Sequence, residues 1–337
     1  MKVLLYLENA KNLSSSGIGR ALLHQSEALK EAGVASTFDP KDSYDIAHIN
    51  SYFFRSYRLL RKCKKKGIKV IVHGHSTHED FKNSFRLWKL MAPFYDHWMD
   101  RMYSRADLII TPTPYSKGLI SGYRNVTCPV IDITNGIVVK DYSANPEFQN
   151  EFRQRFDIKD GQKVVVGAGF PFQRKGILDF IEVAKRMPEI TFIWFGGLAK
   201  ILTQQKILKA LRHKPKNMVT PGYIKGDIIK GAYQSAACML FPTYEETEGI
   251  VALEALASHC PLIIRDTGVY KDWLTSGINC YKGKSVEDFI DLINKVITSD
   301  CSDLTENGYK VASQKEISLT GDKLKKAYQE LLETHPD

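Results

Sequence analysis

Two glutamates in the second half of the chain, Glu246 and Glu254, have a spacing that suits ligand binding. The strand-like residues 238–241 precede a turn at Pro242, and helix-forming residues follow Gly249. Glu246 is therefore expected in a loop and Glu254 in the first helical turns. Unpaired amides at a helix start attract anions, and carboxylates accept hydrogen bonds from hydroxyls. Two solvated glutamates would show the same spacing, but the pattern also suits a sugar nucleotide.

Two adjacent cations, Arg174 and Lys175, follow another predicted strand at residues 163–168 and precede a predicted helix at residues 177–186. Fixed cations at the start of a helix can grip a diphosphate. Near the N-terminus, residues 14–19 form a small loop between a strand at 2–7 and a helix at 20–32. Its glycines, Gly17 and Gly19, let a phosphate approach the backbone closely.

Taken in order, these motifs resemble the retaining GT-B glycosyltransferases of the family 4 type, and the resemblance spans nearly the whole chain. The motifs that carry it are the Gly17/Gly19 loop, His75 after a strand, residues 111–116, residues 135–137, residues 174–176 and the Glu246/Glu254 pair. Within the family, residues 73–81, 245–251 and 266–273 are similar to bacterial enzymes that add a second hexose to glucosyl-diacylglycerol.

The resemblance implies the GT-B fold, an α/β architecture of two doubly wound Rossmann-like domains that face a central cleft. Residues 1–141 would form an N-terminal domain that faces the acceptor and the membrane, and residues 319–337 would pack back on it. Residues 142–318 would bind the nucleotide sugar. The alternation of predicted strands and helices independently favours parallel sheets with ligands at the carboxyl ends of the strands. The predicted strands are 2–7, 34–38, 45–49, 69–73, 107–111, 129–133, 163–168, 190–195, 217–220, 237–241 and 261–264.

The implied activity is transfer of a hexose from a UDP-sugar to glucosyl-diacylglycerol, with galactose favoured and glucose possible. In this scheme Arg174 and Lys175 stabilise the charge that develops on the departing diphosphate. Glu254 holds the ribose hydroxyls, Glu246 orients the donor hexose, and His75 contacts the hexose near the reacting carbon.

The remaining donor contacts implied by the resemblance are backbone groups. They come from Gly17, Gly19, Gly249, Ile250 and Val251. Because cationic side chains take the leaving-group role, no cofactor and no divalent metal are expected. The resemblance assigns no covalent nucleophile.

The formal net charge of +9 is concentrated in the first part of the chain. Residues 1–140 contain 21 Lys and Arg against 12 Asp and Glu, whereas residues 141–337 contain 26 of each. Lys64, Lys65 and Lys66 belong to the densest cluster. This imbalance predicts an anionic partner, either a lipid surface or nucleic acid. No nucleic-acid-binding motif accompanies it, so nucleic acid is not expected.

Residues 81–105 carry an aromatic stripe at helical spacing, interleaved with cations, and Pro93 is expected to kink or divide the segment. Such a face suits the surface of an anionic bilayer, although it would equally suit a domain core. Membrane or acceptor contact is predicted for Lys64, Lys65, Lys66, Phe85, Trp88, Lys89 and Trp98.

Three other functions are considered. His73, His75 and His78 could ligate a metal in a hydrolase, although Thr77 stands where such enzymes usually carry Asp. A dehydrogenase is not expected, because Leu22 replaces the third glycine of a dinucleotide-binding loop. A glycosyltransferase with a polysaccharide acceptor remains the third alternative.

Composition indicates an ordinary globular protein. Of the 337 residues, 43% are hydrophobic and 25% are charged, which is enough for two substantial cores. The sequence shows neither a long apolar run nor a signal-peptide pattern, and its six cysteines form no Cys-x-x-Cys pair. We therefore expect a cytoplasmic protein, peripheral on the inner face of the cell membrane.

Overall fold

The computed structural model describes residues 1–10, 16–197, 203–224 and 226–333. The chain divides into two compact units. Unit 1 comprises residues 1–79, 89–138 and 315–337, and unit 2 comprises residues 80–88 and 139–314. Ser14 and Ser15 of the predicted glycine loop lie outside the described residues, as do residues 334–337 of the predicted terminal segment.

The strands of unit 1 form a six-stranded parallel sheet. In chain order they are β1 (Lys2–Tyr6), β2 (Ala35–Thr37), β3 (Ile46–Ile49), β4 (Lys69–His73), β5 (Leu108–Thr111) and β6 (Val130–Asp132). Their order across the sheet is β2-β1-β3-β4-β5-β6. The direction of winding reverses between β1 and β3, and doubly wound sheets bind ligands beyond the carboxyl ends of the strands at such a switch point.

Unit 2 contains a second six-stranded parallel sheet. Its strands are β7 (Val164–Ala168), β8 (Thr191–Phe195), β9 (Met218–Gly222), β10 (Cys238–Phe241), β11 (Leu262–Arg265) and β12 (Tyr281–Gly283). The order β12-β11-β10-β7-β8-β9 places the switch point between β7 and β10. The two sheets confirm the predicted fold class. Strand β12 was not predicted, because Tyr-Lys-Gly contains no apolar run.

The helices in chain order are α1 (Gly17–Glu31), α2 (Phe54–Lys65), α3 (His78–Phe81), α4 (Trp88–Tyr103), α5 (Pro114–Ser121), α6 (Pro146–Arg155), α7 (Ile177–Arg186), α8 (Gln205–Arg212), α9 (Asp227–Ser235), α10 (Ile250–Ala257), α11 (Val286–Thr298), α12 (Ser302–Ser313) and α13 (Ile317–Glu333). Short 3-10 turns occupy Val139–Tyr142, Gln173–Lys175 and Gly268–Tyr270.

The strands are apolar on both faces because helices cover both sides of each sheet. In unit 2, Val165 and Phe192 of the sheet pack with Phe180 of α7 in one fully buried cluster. In unit 1, the core includes Leu5 of the sheet, Leu29 of α1 and Leu324 of α13. Helices α1 and α13 approach so closely that only glycine fits at Gly321, where a Cβ atom would lie 2.2 Å from the Ala28 carbonyl oxygen.

Pro93 does not divide the segment in the described structure. The helix runs unbroken from Trp88 to Tyr103 with Pro93 inside it, and the chain leaves helical conformation at residues 82–87 instead. Pro93 is the sixth residue of the helix, and its missing amide removes one backbone hydrogen bond, to the carbonyl oxygen of Lys89.

Candidate active site

The loops after β7 and β10 meet in unit 2 and bring Arg174, Lys175 and Glu246 together. Gly176 adopts a left-handed conformation (φ 73°), and a Cβ atom there would lie 2.2 Å from the Pro242 carbonyl oxygen. The Tyr244 amide donates to the Arg174 carbonyl oxygen at 2.7 Å. These close backbone contacts fix the cation pair beside the Glu246 loop at the switch point of the sheet.

The side chains form a buried charge cluster. Lys175 Nζ donates to Glu246 Oε1, and Arg174 Nη1 lies 3.7 Å from the same oxygen. Thr243 Oγ1 also donates to it, at 3.0 Å. Burial opposes ionisation of Glu246, but the charges of Lys175 and Arg174 outweigh it and lower the pKa of this carboxyl. Burial lowers the pKa of Lys175 from its usual range.

Sequence reasoning missed two further partners of Arg174. Asp80 Oδ1 lies 2.8 Å from Arg174 Nη1, and Ser84 Oγ accepts from Arg174 Nε at 2.6 Å. Both belong to residues 80–88, which form part of unit 2. Only the acidic and hydroxyl side chains themselves could have suggested such a role, because residues 80–88 lie far from Arg174 along the chain.

Glu254 and Gly249 occupy the places that the sequence predicted for them. Gly249 caps α10 in a left-handed conformation (φ 87°), and Glu254 is fully buried on that helix. Glu254 Oε2 accepts from Tyr233 Oη of α9 at 2.9 Å. Tyr270 packs against Gly249, because a Cβ atom at Gly249 would lie 3.0 Å from the Tyr270 hydroxyl. Ile250 is buried in the first turn of α10 and Val251 is partly exposed there.

In unit 1, His75 follows β4 and belongs to a buried polar network. Its Nε2 contacts Asn50 Oδ1 at 2.8 Å, and its ring stacks on His73 at 4.0 Å between centroids. Gln25 Nε2 donates to the same Asn50 oxygen at 2.9 Å. Because an amide oxygen only accepts, the proton of neutral His75 lies on Nε2, which leaves Nδ1 as an acceptor.

A chain of hydrogen bonds extends this network to the terminal helix. Tyr328 Oη of α13 lies 2.7 Å from His48 Nδ1, and His48 Nε2 lies 3.1 Å from His73 Nδ1. Gln25 Nε2 also reaches His73 Nδ1, at 2.8 Å, so that nitrogen accepts. Burial holds the pKa of His48 and of His75 at about 3, and that of His73 well below its usual value. All three rings are therefore neutral at pH 7.

His73, His75 and His78 do not form one site. His78 Nδ1 contacts Asp96 Oδ1 on α4, whereas His73 and His75 stack on each other. Within the described ranges, no group of three His, Cys, Asp or Glu side chains has a metal-binding arrangement.

The predicted phosphate loop begins helix α1. Ser16 Oγ accepts from the Gly19 amide at 3.2 Å, so this amide is engaged in a helix cap, while Gly17 is exposed. The motif at residues 135–137 makes contacts within unit 1. Gly136 has φ 73°, and a Cβ atom there would lie 2.7 Å from Thr320 Oγ1 of α13.

The predicted membrane residues separate into two groups. Lys64, Lys65, Lys66 and Lys89 are exposed, whereas Phe85, Trp88 and Trp98 are partly buried. Trp98 donates to the Tyr52 carbonyl oxygen, the Phe85 ring lies 5.3 Å from that of Phe172, and Trp88 is half-buried. No helix in the described part of the chain is long and apolar enough to cross a membrane.

The outward apolar face of α4 consists of other residues. Leu90, Met91 and Phe94 are 71%, 50% and 79% exposed, and Phe54 at the start of α2 is 74% exposed. The Phe54 ring lies 4.9 Å from that of Trp98, which places it on the same surface. Most of the stripe read from the sequence is thus buried or partly buried, and the exposed apolar face adjoins it at Trp98.

Two family models match the chain. Residues 36–140 match Glycosyltransferase Family 4, and residues 148–311 match Glycosyl transferases group 1. The chain is 48% identical to the processive diacylglycerol alpha-glucosyltransferase of Acholeplasma laidlawii over 98% of this chain and 99% of the relative. It is 26% identical to the alpha-galactosylglucosyldiacylglycerol synthase of Streptococcus pneumoniae, covering 82% of this chain and 76% of that protein.

Solved structures agree in fold. The crystal structure of Anabaena Alr3699/HepE in complex with UDP and glucose superposes with a TM-score of 0.80 and 14% identity, covering 98% of this chain and 100% of that one. The matched families and the 48% identical relative show that the chain is a glycosyltransferase of the diacylglycerol glycosyltransferase type. The chain belongs to the GT-B glycosyltransferases of the family 4 type.

Proposed function

We propose that the protein transfers a hexose from a UDP-sugar to glucosyl-diacylglycerol, with retention of the anomeric configuration and without a divalent metal. The observation that carries this proposal is the Arg174–Lys175–Glu246 cluster at the switch point between β7 and β10. Two largely buried cations beside a carboxylate suit a diphosphate joined to a hydroxyl-rich sugar. The names of the two glycolipid-synthesising relatives support the acceptor class.

On the donor side, Arg174 and Lys175 stabilise the negative charge that grows on the diphosphate as the sugar leaves. They lie in a buried setting, where a preorganised charge acts more strongly than in water. Glu246 and the amides from Gly249 to Val251 orient the hexose, and Glu254 binds the ribose. Release of UDP then requires no metal, because the two cations supply the compensating charge.

The unit 1 residues have complementary roles in this proposal. The Nδ1 acceptor of neutral His75 receives a hydrogen bond from a hydroxyl of the donor hexose. Gly17, at the exposed start of α1, allows close approach of a phosphate, and the helix start attracts its charge. Because the Gly19 amide already donates to the capping Ser16 hydroxyl, Gly19 contributes by its small size.

The acceptor glycolipid requires contact with a membrane surface, and two features of unit 1 support that contact. Helix α2 exposes Arg58, Arg61, Lys62 and Lys65 along its length. Beside it, Phe54, Leu90, Met91 and Phe94 form an exposed apolar patch. Apolar side chains next to a cationic stripe suit the interface of an anionic bilayer on the cytoplasmic side.

For the donor sugar, the 48% identical relative is a glucosyltransferase, and the 26% identical one is named for a galactosyl product. The sequence expectation favoured galactose. We propose UDP-glucose as the donor, since the more similar relative covers nearly the whole chain.

The deciding experiment supplies UDP-glucose or UDP-galactose to the protein with vesicles that contain or lack glucosyl-diacylglycerol. Lipid mass analysis and linkage determination then identify the product. The expected result is a diglycosyl-diacylglycerol from UDP-glucose only when the acceptor is present. Transfer to water or to a soluble saccharide alone would contradict the proposed acceptor, and product from UDP-galactose alone would contradict the proposed donor. Metal-dependent hydrolysis abolished by chelator would favour the hydrolase alternative.

A further inference from the structure

Asp80 and Ser84 surround Arg174 with acceptors. Ser84 Oγ accepts from Arg174 Nε at 2.6 Å and donates to the Asp80 carbonyl oxygen at 2.6 Å. Asp80 Oδ1 lies 2.8 Å from Arg174 Nη1, and that nitrogen also donates to the Glu245 carbonyl oxygen at 3.0 Å. The Asp80 and Arg174 side chains are only 15% and 13% exposed, so this ion pair is largely shielded from water.

The cluster is balanced in charge without a ligand. Asp80 and Glu246 supply two carboxylates, and Arg174 and Lys175 supply two cations. A sugar nucleotide would add a diphosphate that carries about two negative charges to a buried site of low dielectric constant, where like charges repel strongly. A cation of the site becomes available to the diphosphate when the carboxylate that is paired with it moves away.

Of the two carboxylates, Asp80 is the one whose displacement frees a planar fork of donors. A guanidinium binds carboxylates and phosphates through the same donor geometry. Glu246 is held by Lys175 and Thr243 as well as by the more distant Arg174. Asp80 Oδ1 lies 2.8 Å from Arg174 Nη1, closer than Glu246 Oε1 at 3.7 Å.

We propose that the Asp80 carboxylate occupies, on Arg174, the position that the donor diphosphate takes, so that Asp80 and the diphosphate exchange during the reaction cycle. Asp80 is then an affinity-determining residue, and donor binding includes the cost of breaking its ion pair. This inference rests on the proposed function, because it assumes that the ligand of Arg174 is a nucleoside diphosphate.

The test is titration calorimetry with UDP on the wild type, Asp80→Asn and a matched control, Glu79→Gln. Asparagine keeps the shape of the side chain but removes the competing charge, so UDP binding to Asp80→Asn should tighten by about tenfold or more. The half-buried neighbour Glu79 tests whether any loss of acidic charge has this effect, and its variant should bind UDP as the wild type does. Circular dichroism verifies that each variant is folded.

A double-mutant cycle with Arg174→Ala tests whether Asp80→Asn changes UDP affinity through Arg174. If Asp80 acts by competing for Arg174, the gain from Asp80→Asn should vanish when Arg174 is absent. UDP binding that is unchanged or weaker in folded Asp80→Asn would overturn the inference and would instead mean that Asp80 positions Arg174. Absence of UDP binding in the wild type and in Asp80→Asn alike would overturn the proposed donor class as well, so the two failures are distinguishable.

Discussion

At the residue scale, Arg174 and Lys175 are the side chains on which the proposed chemistry depends most. Replacing either by Ala should lower kcat by roughly 100-fold, since removal of one charge-stabilising donor costs about 3 kcal/mol in the transition state. Turnover is measured at saturating UDP-sugar. The matched control is Lys185→Ala, because Lys185 is a half-exposed lysine of the same unit that pairs with its helix neighbour Glu182. Near-native turnover in both active-site variants would contradict the leaving-group role.

Substitutions of Glu254 and Glu246 should have different effects on UDP affinity and on turnover. Glu254→Gln should weaken UDP binding, because Glu254 is assigned to the ribose, while Glu246→Gln should spare UDP and slow transfer from the intact sugar nucleotide. In the Glu254→Gln variant, Tyr233 Oη can still donate to the amide oxygen of the new side chain, so the fold around α10 is preserved. Calorimetry with UDP and steady-state kinetics give the two readouts. Equal loss of UDP affinity in both variants would refute this division of roles.

At the scale of elements, helices α2 and α4 carry the proposed membrane surface, and its two components respond differently to salt. Lys65→Ser with Lys66→Ser should weaken binding to anionic vesicles by about 2 kcal/mol, or roughly 30-fold, at low salt, and the difference should shrink at high salt. Leu90→Ser with Phe94→Ser should weaken binding at both salt concentrations, because burial of apolar surface is not screened.

Vesicle sedimentation measures both effects. Lys206→Ser with Lys209→Ser is the control for charge, since these exposed lysines lie on α8 in unit 2. If all three double variants sediment with vesicles to the same extent as the wild type, then neither the lysines at the end of α2 nor the exposed face of α4 binds the membrane. A groove of about 430 Å³ between the C-terminal part of α2 and residues 104–106, which follow α4, gives a cationic setting for a headgroup, since Arg61, Lys64, Lys65 and Arg105 line it.

At the scale of the whole molecule, acid should destabilise unit 1 through its buried histidines. The folded-state pKa values of His48 and His75 are about 3, below the unfolded value of about 6.5. The unfolded chain therefore binds more protons between these limits. Above about pH 6.5 the neutral histidines contribute fully to the free energy of unfolding of unit 1. As the pH decreases toward 3, this free energy falls by about 1.4 kcal/mol per pH unit for each neutral histidine.

Hydrogen exchange at pH 7.5 and 5.5, followed by mass spectrometry of peptides, measures this loss separately in each unit. Core peptides of β3 and β4 should lose protection at the lower pH after correction for the intrinsic exchange rate. A His213→Gln control should keep the same pH dependence, because His213 is exposed on unit 2. Unchanged opening free energies in unit 1 would contradict the neutral state of the network.

Much of the architecture was predictable because these strands are covered on both faces. A strand buried on both sides must be apolar throughout, so runs such as Val164–Ala168 are recognisable without knowledge of their neighbours. The cation pair and Glu246 were predictable as one site for a related reason. Each follows a parallel strand, and the carboxyl ends of neighbouring parallel strands lie at the same edge of the sheet.

What the sequence by itself determined was the fold class, the grouping of Arg174, Lys175 and Glu246, and the excess of positive charge in the first part of the chain. The tertiary structure alone decided that Asp80 pairs with Arg174, that Tyr328 reaches His48, and that Phe94 rather than Trp98 faces outward. Local spacing specifies which side chains share a face of a helix. It carries no information on which distant segment covers that face, because the choice depends on packing between residues far apart in the chain.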